Sequence, residues 1–216
     1  MSNERLDRYF ELMEKRPALF NDSENVRIEK DIGIIENYEQ QHGVKIGIVY
    51  ASKYNFLVVD LLCEEGKKYY TYERIIPFAT GKAVVVVVLC KEKFVLLNQY
   101  RYPIGGYLYA FVRGFGESDL SGEKNTEKEV MEELGAQAEE ITYLGEIYSD
   151  SGLCSNSVSV YSCNVENINC PVGHEGIKQA FCVSYADFEQ MIKDGKISDG
   201  FTLSALRLYQ SLTSDC

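Results

Sequence analysis

Across 216 residues there are only two histidines, His42 and His174, and none of the seven cysteines stands in C-x-x-C spacing. That scarcity of imidazole and paired thiol argues against a zinc centre. The odd set Cys63, Cys90, Cys154, Cys163, Cys170, Cys182 and Cys216 reads as reduced thiols. No apolar run approaches the roughly 20 residues of a membrane span. The opening MSNERLDRYF is charged, so the expected compartment is the cytoplasm. Positive charge is also short. With 22 basic against 33 acidic residues, the net charge of −11 argues against non-specific binding to nucleic acid or anionic membrane. Internal repeats and low-complexity segments are absent. What remains is an ordinary globular composition, 45% hydrophobic and 25% charged, long enough for one sizeable core or a small module on a larger domain.

Residues 3–16 carry Leu6, Tyr9, Phe10 and Met13 at helical spacing, stopped by Pro17. A loop to Asn25 precedes two expected short strands, Val26 to Ile28 and Ile32 to Tyr38. From Val44 the pattern alternates as β-structure through KIGIVYAS, YNFLVVDLLC and KKYYTYERIIPF, with a hairpin at 64–68. AVVVVVLC (83–90) predicts a strand buried on both faces. FVLLNQYR then brings Gln99, Tyr100 and Arg101 to a strand end, where an arginine fork suits phosphate. After residue 140 the reading is strand, loop and strand. A helix opened by Ser184 carries Phe188, Met191 and Ile192 on one face, with Gly195 as its stop, and a last helix covers 199–212 with Leu203, Leu206 and Tyr209 inward.

The most informative stretch is GFGESDLSGEKNTEKEVMEELGA, residues 114–136. Its second half reads as a helix with Glu129, Glu132 and Glu133 at i, i+3 and i+4, Val130 and Leu134 on an apolar stripe, and Gly135 as the stop. Like charges at those spacings repel by roughly 0.2–0.5 kcal/mol per pair, so such a face is either solvated surface or a cation site. Three hard oxygen donors suit Mg²⁺ or Mn²⁺. The glycine-rich approach favours the cation site.

This segment resembles the Nudix box, G-x5-E-x7-R-E-U-x-E-E-x-G-U with U aliphatic. Gly114, Glu129, Val130, Glu132, Glu133, Gly135 and Ala136 occupy its positions. Leu120 stands where its first glutamate belongs, Lys128 replaces its arginine, and Glu117 or Glu123 is the candidate substitute for the missing acid. The resemblance extends from about residue 75 to the end and is nearest the ADP-ribose pyrophosphatase group. It implies an α+β fold, an α/β/α sandwich with a mixed sheet at 78–216, preceded by a small N-terminal antiparallel sheet and helix at 1–77 that mediates a homodimer. Glu129 and Glu133, with the Arg113 carbonyl, are the implied metal ligands. Arg101 and Gly114 are the implied substrate contacts. Glu175, in an E-x-I setting before a strand, is the implied general base, with Glu132 as the other catalytic candidate.

In the same group a glutamate and a proline stand at the positions of Ala110 and Val112, and the loop 150–157 faces the box. That loop offers Asn156 where some members carry a catalytic glutamate. The implied activity is Mg²⁺-dependent hydrolysis of a nucleoside diphosphate derivative, ADP-ribose first, to AMP and ribose 5-phosphate. A nucleotide sugar or another dinucleotide is the alternative substrate, and a non-catalytic nucleotide sensor the alternative role.

Overall fold

The computed structural model describes residues 4–64, 68–170 and 173–213. The expected 64–68 hairpin falls partly outside them. By its contacts the chain divides into two compact units, Met1–Ala79 with Asp150–Asn156, and Thr80–Ser149 with Ser157–Cys216.

In the first unit, helix α1 (Glu4–Lys15) buries Leu6, Tyr9, Leu12 and Met13 and gives way to a 3₁₀ turn at Pro17. Strand β1 (Val26–Ile28) follows. The stretch from Ile32, expected as a strand, is instead helix α2 (Ile32–His42). Ile32 and Ile34 alternate as in a strand, yet both are exposed, while Ile35 and Glu39 are the buried pair at i, i+4. Asp31 settles the matter locally, since its side chain accepts from the Ile34 N–H at 3.0 Å as an N-cap. Strands β2 (Gly47–Ala51), β3 (Asn55–Glu64) and β4 (Lys68–Pro77) complete an antiparallel sheet centred on β3. β4 runs along one side of β3, and β1 and β2 share the other.

Inside this sheet Asp60 is 2% exposed and held by Arg74, whose Nε donates to Oδ2 at 2.6 Å and Nη2 to Oδ1 at 3.3 Å. The Tyr9 hydroxyl donates to the same carboxylate, and burial next to that charge pushes its pKa far above the phenolic range. Arg74 also donates to the Leu19 carbonyl, so one buried ion pair ties β3 and β4 to α1 and the turn after it.

The second unit is a three-layer sandwich. Its sheet runs β11-β6-β5-β10-β9, with β7 on β6 and β8 on β5. These strands are β5 (Ala83–Cys90), β6 (Lys93–Arg101), β7 (Gly106–Ala110), β8 (Val112–Gly114), β9 (Glu139–Tyr148), β10 (Ser157–Val165) and β11 (Ile177–Val183). β10 and β5 are parallel and the other pairs antiparallel, so the sheet is mixed. The valine run of β5 divides by parity. Val84, Val86 and Val88 enter the core beneath helix α3 (Gly122–Leu134). Val85 and Val87 enter the opposite core, with α4 (Tyr185–Lys193) and α5 (Gly200–Thr213). β5 and β6 pair only next to their turn, at Leu89–Phe94 and Cys90–Lys93. Beyond it β6 takes β7 as partner and β5 takes β8. Among the described residues no helix is long and apolar enough to cross a membrane.

Removing one partner of a buried ion pair strands the other. Arg74→Met should destabilise the protein by about 3–5 kcal/mol in chemical denaturation, with the Asp60→Asn, Arg74→Met double variant losing less than the sum of the singles.

Candidate active site

Helix α3 begins at Ser121, whose hydroxyl accepts from the Lys124 N–H at 3.2 Å, and ends at Gly135 in a left-handed conformation, φ 59°. The glutamates share one side of the helix but not one environment. Glu129 and Glu133 are 6% and 1% exposed, whereas the Glu132 side chain is 43% exposed and bound to Lys128 at 3.1 Å. The boundary of the core therefore passes between neighbours in sequence. Burial lifts both hidden carboxyls above the usual range. Glu133 reaches about 8, pushed further by Glu129 and opposed by the N–H it accepts and by Arg101. For Glu129 the ammonium of Lys128 opposes the rise.

What receives these carboxylates is the backbone of β8. The Arg113 N–H donates to Glu133 Oε2 at 3.2 Å. Gly114 lies against Glu129 so closely that a Cβ there would sit 2.0 Å from the Glu129 Cδ. Asn125, fully buried one turn before Glu129, donates from Nδ2 to the carbonyls of Lys82 (3.1 Å) and Phe115 (2.8 Å), holding the loop that leaves β8.

Lys128 bridges Glu117 (2.9 Å), Glu132 (3.1 Å) and Glu129 (3.4 Å). Burial alone would lower its pKa, but these carboxylates outweigh it and hold the ammonium above the lysine range. Of the two candidate substitutes for the missing acid at Leu120, Glu117 is the one that reaches Lys128.

Arg101 ends β6 on the face that carries Val95 and Leu97 into the core beneath α3. Its Nε and Nη2 are buried without a hydrogen-bond partner. Burial and the adjacent Arg113 charge bring its pKa down to about 10, against the fields of Glu133, Asp199 and Glu175. The Arg113 guanidinium lies 5.0 Å from the Phe201 ring centre and 3.3 Å from Asp199 Oδ1. Asp199 is itself 7% exposed, and its Oδ2 accepts from the N–H and hydroxyl of Thr202 at the start of α5. Glu175 is exposed, in a left-handed conformation (φ 47°, ψ 32°), and its charge reaches Arg101, Glu129 and Glu133.

The structure thus gathers Arg101, Arg113, Gly114, Glu129, Glu133 and Glu175, with Glu132 turned to Lys128. Ala110 and Val112 are both fully buried core residues, and Asn156 belongs to the segment grouped with the first unit. Sequence reasoning passed over Asn125 and Asp199. An amide inside a helix, and an aspartate just before one, were the available signals. Among the described residues no three His, Cys, Asp or Glu side chains converge as a closed metal cage.

A mixed sheet between helices, with two buried carboxylates presented to a glycine-containing strand, defines an α/β/α sandwich that carries a hard-oxygen donor pair at one edge of its core. The family model of the NUDIX domain matches residues 79–202, more than half of the chain, and the chain belongs to that family, whose members generally use divalent metal ions. Its fold is similar to that of a crystal structure described as an ADP compounds hydrolase, with a TM-score of 0.67 and 18% identity, covering 80% of this chain and 93% of that one. No curated protein matches the sequence.

The contact between Gly114 and Glu129 leaves no room for a methyl group. Gly114→Ala should displace the Glu129 carboxylate and lower turnover by on the order of 10²-fold. The far-ultraviolet circular dichroism spectrum should stay unchanged.

Proposed function

We propose that the protein hydrolyses the diphosphate of a nucleoside diphosphate derivative with Mg²⁺, Mn²⁺ being the other candidate ion, and that ADP-ribose is the first substrate to test. The observation that carries this reading is the pair of buried carboxylates, Glu129 and Glu133, drawn against the Arg113–Gly114 backbone within the field of the unpartnered Arg101 guanidinium. The donor set fits the ion. Mg²⁺ is commonly held by one or two carboxylates plus substrate phosphate and water, so a closed cage of three side chains is not required. The similarity to a protein described as an ADP compounds hydrolase points the same way.

Glu129, Glu133 and the Arg113 carbonyl would hold the metal, which supplies charge neutralisation at the diphosphate and acidifies water. Arg101 receives the diphosphate through Nε and Nη2, and Gly114 leaves room for the Glu129 carboxylate against the strand. Glu175 takes the proton from the attacking water as general base, and Glu132, tethered by Lys128, keeps the helix face in register. For ADP-ribose the products are AMP and ribose 5-phosphate. Because Ala110 lies in the core, where a substrate glutamate stands in related ADP-ribose hydrolases, a nucleotide sugar or another dinucleotide is the second substrate reading. We further propose a cytoplasmic homodimer formed through the first unit.

Release of nucleoside monophosphate from a panel of diphosphates, with Mg²⁺, Mn²⁺ or chelator, tests the activity. Mg²⁺-dependent turnover in the wild type should fall by more than roughly 10²-fold in Glu133→Gln. Tight binding of intact ligand without turnover would instead favour a nucleotide sensor. Light scattering at micromolar concentration should give twice the 24.5 kDa chain mass, and a monomer would count against the dimer.

A further inference from the structure

Gln99 lies on β6 two residues before Arg101 and is 2% exposed. Its amide group is used on one side only. Nε2 donates to the backbone oxygen of Glu175 at 3.1 Å, while Oε1 is buried without a partner. The receiving segment is unusual in its backbone. Glu175 is left-handed, a conformation that residues with side chains keep only where the surroundings enforce it. Gly176 follows at φ 76°, so close to Tyr100 that an added Cβ would meet the Tyr100 Cβ at 3.2 Å. β11 then joins β6 at Ile177↔Gln99, and its register shifts before Gln179. A bulge of this kind re-aims the side chains beside it.

Two constraints therefore meet at Glu175: a bulged strand start after it and a buried hydrogen bond on its carbonyl. Neither the Tyr100 backbone nor the exposed Glu175 carboxylate supplies the second one. A glutamine serving stability alone would find a cheaper place in an apolar core as leucine or methionine, since its idle oxygen costs free energy there. We infer that Gln99 is a positioning residue: by holding the Glu175 carbonyl it fixes the left-handed turn that aims the Glu175 carboxylate at Arg101 and the two buried glutamates of α3. This rests on the reading of Glu175 as general base.

The test compares wild type, Gln99→Met, Glu175→Gln and the double variant with Mg²⁺ and ADP-ribose, measuring kcat and KM separately. Gln99→Met keeps the length of the side chain and removes the donor. Its kcat should fall on the order of tenfold with KM within about threefold, the loss expected when one hydrogen bond that orients a reacting group is deleted. Added to Glu175→Gln it should cost nothing more, because the group it positions is already gone.

A slow Glu175→Gln beside a Gln99→Met of wild-type rate would overturn the inference and leave the base assignment standing. Additive losses, or a loss confined to KM, would overturn it as well. Wild-type turnover in Glu175→Gln would remove the base assignment and this inference with it, and a wild type inactive on every diphosphate would remove the proposed function beneath both. Should Gln99→Met fail to fold, Gln99→Leu removes the donor with a different apolar shape, and the same four-way comparison applies.

Discussion

Two carboxylates four residues apart on α3, Glu129 and Glu133, are buried side by side, and the site is built around making that tolerable. Burying an uncompensated carboxylate is among the costliest things a fold can do. Here the compensation is local and partial: one backbone N–H and the field of Arg101 for Glu133, and one ammonium near Glu129. Both raised pKa values say that it falls short. The register of the helix follows from this. A rotation by one residue would bury Glu132 and release Glu133, separating Lys128 from Glu117 in the loop and Asn125 from the two carbonyls it holds. Val130 and Leu134, fully buried in the core under α3, resist that rotation from the apolar side. Packing thus supplies what electrostatics opposes.

Under the proposed function the same site has to attract a polyanion to a chain of net charge −11. Arg101 and Arg113 are the local answer, and the surroundings treat them differently. Arg113 is occupied, set against Asp199 and the face of Phe201, so its side chain helps join β8 to the first turn of α5 while its backbone serves Glu133. Arg101 keeps Nε and Nη2 unpaired, and with a pKa of about 10 it stays protonated at neutral pH despite its burial. One arginine is structural in its side chain and the other is held in reserve. Its Nε and Nη2 are donors suited to a planar, two-oxygen contact.

Hydropathy alone was enough for the elements whose burial is one-sided or complete. The β5 valines could hardly be anything but a strand covered on both faces, and the stop of α3 is written in Gly135. α2 was misread because Ile32 and Ile34 alternate while the residues that decide, Ile35 and Glu39, are spaced for a helix, and Glu39 is a buried charge that hydropathy counts as surface. It is buried because Arg5 and the Ile46 N–H satisfy it, partners that no local window contains. The Asp199–Arg113 pair, 86 residues apart, and the Gln99–Glu175 bond, 76 apart, were invisible for the same reason. Sequence pattern carries local periodicity, whereas these contacts are products of the completed sheet.

Leu120 and Lys128, the two departures from the Nudix box, are better understood as one change than as two losses. An acid at 120 and an arginine at 128 would form a fork-to-carboxylate contact of fixed geometry. With leucine half-buried at 120, that contact has no acceptor, and a guanidinium would keep a planar demand that nothing at that position meets. Lysine removes the demand, because a compact ammonium accepts neighbours from several directions. Glu117, three residues earlier in the same loop, then approaches Lys128 from one side while Glu132 and Glu129 approach from the helix. The tether from loop to helix is preserved with a different acid and a different cation. Each such exposed pair contributes little alone, but three carboxylates on one ammonium fix its position, and through it the orientation of Glu129.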